Sequence, residues 1–299
     1  VLECVVNVSE GRDHAALDAL GAACGPALLD RHEDADHHRS VFTLGSREPG
    51  ATEAALRRLA GLAVQDLDLR RHEGIHPRFG MVDVVPFVAL EQTAPSTAAD
   101  AARAFGAWWA RTHAVPVFLY DDADPLRRTL PETRRDAFTR RAPDFGPPTP
   151  HPSLGATAVG ARPPLVAINV ELDRPDLDLA RAVAGAVRER DGGLPGVRAL
   201  GLLLESRAHA QVSMNVVDLD AVDLETVCGE VRGRIERAGA AVDRVELVGL
   251  VPAAALARCS AAFRAWSGIS EEQTIEARVG RAAAGGSAAT RAAGPGPPA

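Results

Sequence analysis

At 299 residues the chain is long enough for two cores of about 140 residues each. Its 40 acids outnumber 33 bases for a net charge of −7, a balance that excludes a surface built for nucleic acid or for an anionic membrane. Every one of those bases is arginine; with no lysine, a Walker A lysine, a Schiff-base lysine and a kinase phosphate lysine are all excluded, and any essential positive charge must be arginine, histidine or a helix terminus.

In chain order, "LECVVNV" (2–8) predicts a strand. "SEGRDHAALDALGAAC" follows, with Ser9 as the expected cap of a helix that has an apolar stripe. "ALLDRHE" and "RSVFTLGS" predict two strands joined by the polar turn "DADHH", and residues 51–64 predict an amphipathic helix. Next comes "RHEGIHPRFG" (71–80), which contains H-E-x-x-H, the helical spacing of two zinc ligands and a base. Gly74 and Pro77 oppose a helix there, so a loop is expected and the zinc peptidase reading ranks last. A loop between a helix and a strand commonly carries function. "MVDVVPFVAL" predicts a strand with Pro86 at an edge or bulge.

A helix at "TAADAARAFGAWWARTH", a strand at 115–120 and an arginine-rich helix at 127–141 come next. Five prolines and two glycines in "APDFGPPTPHPSLG" (142–155) exclude regular structure. The same series then returns: strand 164–173, helix 176–190, strands "VRALGLLLES" and "AQVSMNVVDLD", helix 223–238, strand "RVELVGLV". The fold class is therefore α/β (α+β), two ferredoxin-like βαββαβ subdomains with helices packed on one face of each sheet. The expected divisions are 1–162, 163–280 and a low-complexity, disordered tail at 281–299.

Four scattered cysteines, Cys4, Cys24, Cys228 and Cys259, form no CxxC pair, which favours reduced, structural thiols. No run of 18 apolar residues and no signal-peptide pattern occurs, so a soluble, cytoplasmic protein without a membrane partner is expected.

Nine blocks carry a resemblance: "ECVVNVSEG", "LLD", "RSVFTL", "HPRFGMVDVVPF", "RRTLP", "APDFGP", "SLGATAVGAR", "AQVSMN" and "LVGLVP". In order and approximate spacing the chain resembles the glutamate formimidoyltransferases, the formiminotransferase part of the formiminotransferase-cyclodeaminases, over residues 1 to about 280. The resemblance implies transfer of a formimino group from N-formimino-L-glutamate to tetrahydrofolate in histidine breakdown. It also implies folate held between two α/β subdomains, and a homodimer. It places the catalytic histidine immediately before Pro-Arg, at His76, and pterin and folate contacts on Gly146, Pro147, Pro148, Thr149, Pro150, His151, Pro152, Ser153, Leu154 and Gly155. Departures from the family pattern are Glu73, Ile75, Leu154 in place of a common Trp, and His32 where ungapped counting expects a carboxylate.

The reaction asks for one imidazole near neutral pKa, which takes a proton from folate N5 and returns it to the departing glutamate nitrogen. No metal or second cofactor is required. Arg39 and Arg78 are candidate clamps for the donor's carboxylates. The turn "HEDADHHRS" is a candidate substrate contact through Asp34 and His38, with a solvated turn or a His32, His37 and His38 metal group as alternatives. His72 is expected to be structural, the arginine pairs 127/128, 134/135 and 140/141 to be a solvated face, and "AWWA" to be core or dimer surface. Runner-up functions are a related folate-dependent one-carbon transferase with another donor, or a non-catalytic folate-binding module.

Overall fold

The computed structural model describes residues 1–73 and 78–292. Contacts divide the chain into one unit of Val1–Arg162 with the chain from Ala277 onward, and another of Pro163–Glu276.

The first unit runs β1 (Leu2–Val8), α1 (His14–Cys24), β2 (Leu28–Asp34), β3 (Arg39–Ser46), α2 (Ala51–Asp66), β4 (Val82–Ala89), α3 (Pro95–His113), β5 (Val117–Asp121), α4 (Leu130–Asp136) and β6 (Thr157–Ala161). Its six strands lie in the order β2-β3-β1-β4-β6-β5. β1 is antiparallel to β3 and β4, while β6 is parallel to both β4 and β5. Alternation of side chains across the pleat explains the layering. Cys4, Val6 and Val8 of β1, Phe42 and Leu44 of β3, and Val117 and Leu119 of β5 enter one core with Leu17 and Leu20 of α1, Leu56 and Leu59 of α2, and Phe105 and Trp109 of α3. Trp109 places "AWWA" in the core, its indole N–H donating to Thr157 Oγ1 at 2.9 Å.

Phe118 and Tyr120, the alternate residues of β5, join smaller clusters on the other face with Val84, Ala156, Ala158, Phe79, Leu130 and Ala137, so α4 covers the sheet from that side. Gly160 permits this arrangement. A Cβ there would lie 2.5 Å from the Tyr120 ring.

Three local expectations differ from the structure. Asp13, not Ser9, caps α1 by accepting from Ala16 N–H, and Ser9 Oγ instead donates to Gly80 O at 2.7 Å. Pro86 stands in a strand paired on both sides, where the paired positions of β1 and β4 pass from Cys4↔Phe87 to Asn7↔Val84; the missing N–H falls in that gap of the ladder. The arginine-rich helix spans only Leu130–Asp136, started by a capping box of Thr129 and Glu132.

The second unit runs β7 (Val166–Leu172), α5 (Leu177–Val187), β8 (Val197–Leu204), β9 (His209–Val216), α6 (Leu224–Arg237) and β10 (Val242–Val248). All pairs are antiparallel in the order β10-β7-β9-β8, the ferredoxin-like arrangement the series predicts. Asp176 and Asp223 cap its two main helices, which pack through Val183, Val187, Val227 and Val231 onto Ile168, Val170, Val212 and Met214. Two short helices, α7 (Ala253–Ala257) and α8 (Ala261–Ser267), precede α9 (Ile275–Ala292). Of the stretch 281–299, expected to be a disordered tail, the part up to Ala292 is helical, and 293–299 lie outside the described residues. Its alanines are the best helix formers, so low complexity here supports a helix.

Candidate active site

Three loops of the first unit meet beyond the C-terminal end of β1: residues 9–13, the β2–β3 turn at 35–38, and the described parts of the α2–β4 connection, 67–73 and 78–81. Gly11 makes the meeting possible, since a Cβ there would stand 2.3 Å from Asp34 O and 2.6 Å from Arg39 N. Glu10 anchors the first loop, its Oε1 accepting from the backbone N–H of Gly11, Arg12 and Asp13 at 2.9, 2.7 and 3.0 Å. Burial opposes its ionisation, but those backbone donors and His38 outweigh burial and lower its pKa. The third loop contains only a single 3-10 turn at Leu69–Arg71 before His72. His76, the expected catalytic base, lies with residues 74–77 outside the described residues.

The flanks of that segment are well held. His38 Nδ1 donates to Glu73 O at 2.7 Å, and its Nε2 meets Glu10 Oε1 at 3.1 Å. His72 Nε2 donates to His38 O at 2.7 Å, and the two rings stack at 4.1 Å. Arg78, exposed at its other end of the segment, donates from Nη2 to His72 O at 2.9 Å. Burial lowers the His72 pKa, the hydrogen bond to His38 O opposing it, so its ring is neutral. Both histidines are thus engaged with protein groups.

Behind this loop sits a buried carboxylate that sequence reading did not single out. Asp83 is fully buried and accepts from Arg39 Nη1 at 2.8 Å, Arg134 Nη2 at 2.5 Å and Phe79 N–H at 2.5 Å. Arg39 also donates to Asn7 Oδ1 from Nε and Nη2, at 3.1 and 2.6 Å. Burial, with the neighbouring Arg134 adding and Asp83 opposing, lowers the Arg39 pKa. Arg39 is therefore built into the sheet, in contrast to the exposed Arg78. The arginine pairs, expected to be solvated, each split into an inner and an outer member. Arg128 binds the buried Asp124, Arg134 binds Asp83, and Arg141 is buried against Asp144, Leu119 O and Thr133.

The 146–155 loop packs against the same connection. Leu69 N–H donates to Ser153 O at 2.7 Å, Met81 N–H to Leu154 O at 3.0 Å and Ala156 N–H to Phe79 O at 3.0 Å. Gly80 lets the chains approach, because a Cβ would lie 2.1 Å from Ala156 O. His151 and Gly155 exchange backbone hydrogen bonds at 2.8 and 2.9 Å, and His151 Nδ1 accepts from Ser153 and Leu154 N–H. Gly146, Pro148, Thr149, Pro150 and Pro152 are exposed, Pro147 and Ser153 are half-buried and Gly155 is buried. The Leu154 side chain enters the core and offers no surface to a ligand.

Asp34 is committed to its own turn, accepting from His37 N–H at 2.8 Å and His37 Nδ1 at 2.6 Å. Burial opposes this, but the His37 bonds win and hold its pKa at about 2. His32 lies beside Asp30 on the face of β2 whose cross-strand partners include Thr43, Val41 and Arg39. Burial raises the Asp30 pKa, with Arg278 and His32 opposing. All four cysteines are buried free thiols, and burial pushes Cys24 and Cys228 up to about 12, which removes them as nucleophiles. Among the described residues the grouping at metal-ligand spacing is not the histidine turn but Glu171, His209 and Asp243 of the second unit. Two arginines, Arg207 and Arg244, already bind Glu171 at 2.9 and 2.7 Å, an environment that disfavours a cation.

Comparison with known proteins matches the formiminotransferase domain, N-terminal subdomain, to residues 1–162, and the formiminotransferase domain to residues 167–282. A glutamate formimidoyltransferase of Streptococcus pyogenes is 37% identical over 86% of this chain and 90% of its own length. One from Thermoplasma acidophilum is 33% identical over 95% of this chain and 98% of its own. The formimidoyltransferase-cyclodeaminase of Rattus norvegicus is 35% identical over 88% of this chain, which spans 52% of that longer protein.

Proposed function

From the premise that this chain belongs to the formiminotransferase family, we propose that it transfers the formimino group of N-formimino-L-glutamate to tetrahydrofolate, giving 5-formimidoyltetrahydrofolate and L-glutamate. The observation that carries the reading is similarity along both subdomains to relatives named for this activity, one of them matched over nearly its full length.

In the reaction, folate N5 forms a bond to the formimino carbon and loses a proton; the bond from that carbon to the glutamate nitrogen then breaks as the nitrogen gains a proton. His76 is the proposed carrier of that proton, a role worth about a hundredfold or more in rate. Arg78, exposed beside it, is the better candidate for a donor carboxylate, because Arg39 is already bound to Asp83 and Asn7. The folate contacts are proposed for the exposed backbone and prolines of 146–153, a stiff segment with little freedom to lose on binding. A cytoplasmic homodimer that needs no metal completes the proposal, to be checked by sedimentation and metal analysis.

The deciding experiment supplies purified protein with formiminoglutamate with and without tetrahydrofolate. Consumption only in the presence of both supports the reading, and tetrahydrofolate binding with no turnover of any donor refutes it. A second reading, transfer from another donor, is favoured by His32, since an imidazole beside Asp30 does not offer an amidinium the charge that a carboxylate would.

A further inference from the structure

The helices of the second unit cover one face of its sheet, through Ile168, Val170, Val212 and Met214. Successive side chains of a strand point to opposite faces, so the residues between these form the other face, and cross-strand partners there stand side by side. One row crosses the sheet as Arg244, Glu171, Gln211 and Leu202, and the next as Glu246, Asn169, Ser213 and Leu200. The half on β10 and β7 is charged and internally paired. Glu171 accepts from Arg207 Nη1 at 2.9 Å and from Arg244 Nη2 at 2.7 Å. Arg244 Nη2 also donates to Glu246 Oε1 at 2.9 Å, and Asn169 Nδ2 donates to Glu246 Oε2 at 3.0 Å. Two carboxylates and two guanidiniums thus balance. The β8 side is apolar, with Leu202 half-buried and Leu200 50% exposed. Gln211 stands at the border between the two. It is fully buried, and neither its Oε1 nor its Nε2 has a hydrogen-bond partner among the described residues. A buried amide in that state costs stability and is rare enough in native folds to need a reason.

We propose that Gln211 is a specificity-determining residue for tetrahydrofolate, its amide pairing with the lactam edge of the pterin: N3–H donates to Oε1, and O4 accepts from Nε2. An amide offers a donor and an acceptor side by side, which is the complement of that edge. The balanced ion pairs beside it favour neither a carboxylate nor a cation, so a neutral partner fits. Leu200 and Leu202 add apolar surface for a flat ring, the usual lining around a few placed polar groups. The inference rests on the proposed function for the identity of the ligand. It adds the side chain that reads the pterin, and accounts for an amide that the fold itself leaves unpaired.

The test is equilibrium titration of the full chain and of Gln211→Leu, which removes both polar atoms at similar volume. Loss of two neutral hydrogen bonds should raise the Kd for tetrahydrofolate at least about tenfold. The Kd for 6-methyltetrahydropterin, the ring without the tail, should rise as much, and that for p-aminobenzoylglutamate, the tail without the ring, should stay within about twofold. The melting temperature of the ligand-free variant should equal or exceed the parent's, because an apolar group replaces an unpaired buried amide. A parent-like Kd for tetrahydrofolate overturns the inference, and so does a loss shared equally by the tail fragment. Gln211→Met, with an unbranched stem like that of Gln, carries the same titrations should the Leu variant not fold. A melting temperature lowered by more than about 3 °C in both variants would show an amide that serves the fold, and this too overturns the inference. A parent that binds tetrahydrofolate but transfers no formimino group removes the proposed function and leaves the Kd values to decide Gln211, whereas a parent that binds neither pterin overturns the inference itself.

Discussion

Replacing Asp83 by Asn changes one atom in the middle of the first unit and should be costly. The amide oxygen still accepts from Phe79 N–H, but its NH2 faces Arg39 Nη1 and Arg134 Nη2, which stand 2.8 and 2.5 Å from Asp83 Oδ2. Two guanidiniums then share a buried space with no charge from this carboxylate, and breaking one side of a buried ion pair costs about 3–5 kcal/mol. With a melting shift of roughly 2–4 °C per kcal/mol for a unit of this size, a loss of about 4 kcal/mol lowers the transition by roughly 8–16 °C. Calorimetry of the full chain reads this directly. Adding Arg134→Met should return about 1–3 kcal/mol, because it removes one of the two guanidiniums that faced the carboxylate. A drop below about 3 °C, or effects of the two substitutions that add within about 0.5 kcal/mol, would refute the shared-carboxylate account.

His76→Ala should cut turnover at least about a hundredfold while tetrahydrofolate affinity, measured at equilibrium, holds; parent-like turnover removes His76 from the mechanism. Arg78→Lys should raise the KM for formiminoglutamate without moving the melting temperature, whereas Arg39→Lys should lower the melting temperature too, since an ammonium cannot serve Asp83 and Asn7 together; matching profiles for the two variants would sink the distinction. Burial depresses the His72 pKa below its ordinary 6.5, so the stability this neutral ring contributes is complete above pH 6.5 and is lost as pH falls through the lower folded value. The melting temperature of His72→Gln should therefore fall less steeply than the parent's from pH 6.5 to 5, and parallel curves would contradict this. Gly160→Ala drives a methyl to 2.5 Å from the Tyr120 ring and should cost about 1–3 kcal/mol in urea unfolding; an unchanged midpoint would show that the ring moves aside freely.

The repeated series of strands and helices was legible because each element carries its own period: Cys4, Val6 and Val8 alternate, and α2 repeats at helical spacing. β6 was not, since "TAVGA" offers small residues and no alternation, and it enters the sheet only because β4 and β5 leave a parallel slot. Ser9 and Asp13 are equally good caps on paper; the proximity of Gly80 O, 71 residues away, decides between them. Asp83 had a readable mark, one acid inside "MVDVVPFV", and a charge in an otherwise apolar strand demands a partner. Its partners had no such mark. In a seven-residue helix nothing separates Arg134 from Arg135, and only the position of α4 over the sheet turns the first inward. The His38–His72 contact joins residues 34 apart through a backbone carbonyl, which no residue type announces.

The first unit is also discontinuous along the chain, and this bears on how it is made. Arg278 of α9 donates to Leu29 O at 3.3 Å across a separation of 249 residues and lies 3.8 Å from Asp30, while residues 163–276 form the other unit. Closing a flexible loop of that length costs on the order of 5 kcal/mol beyond a constant, so one guanidinium is a poor nucleus for it. The chain between is not left flexible, however: once residues 30–162 and Pro163–Glu276 have each folded, most of the loop is already compact and the remaining entropy to be lost is small. During synthesis the six strands of the first sheet are complete long before Arg278 exists, with Leu29 and Asp30 awaiting their last partner. β2 is an edge strand of the first sheet, so the contact of Arg278 with Leu29 O and Asp30 is a late addition to an edge that is already formed.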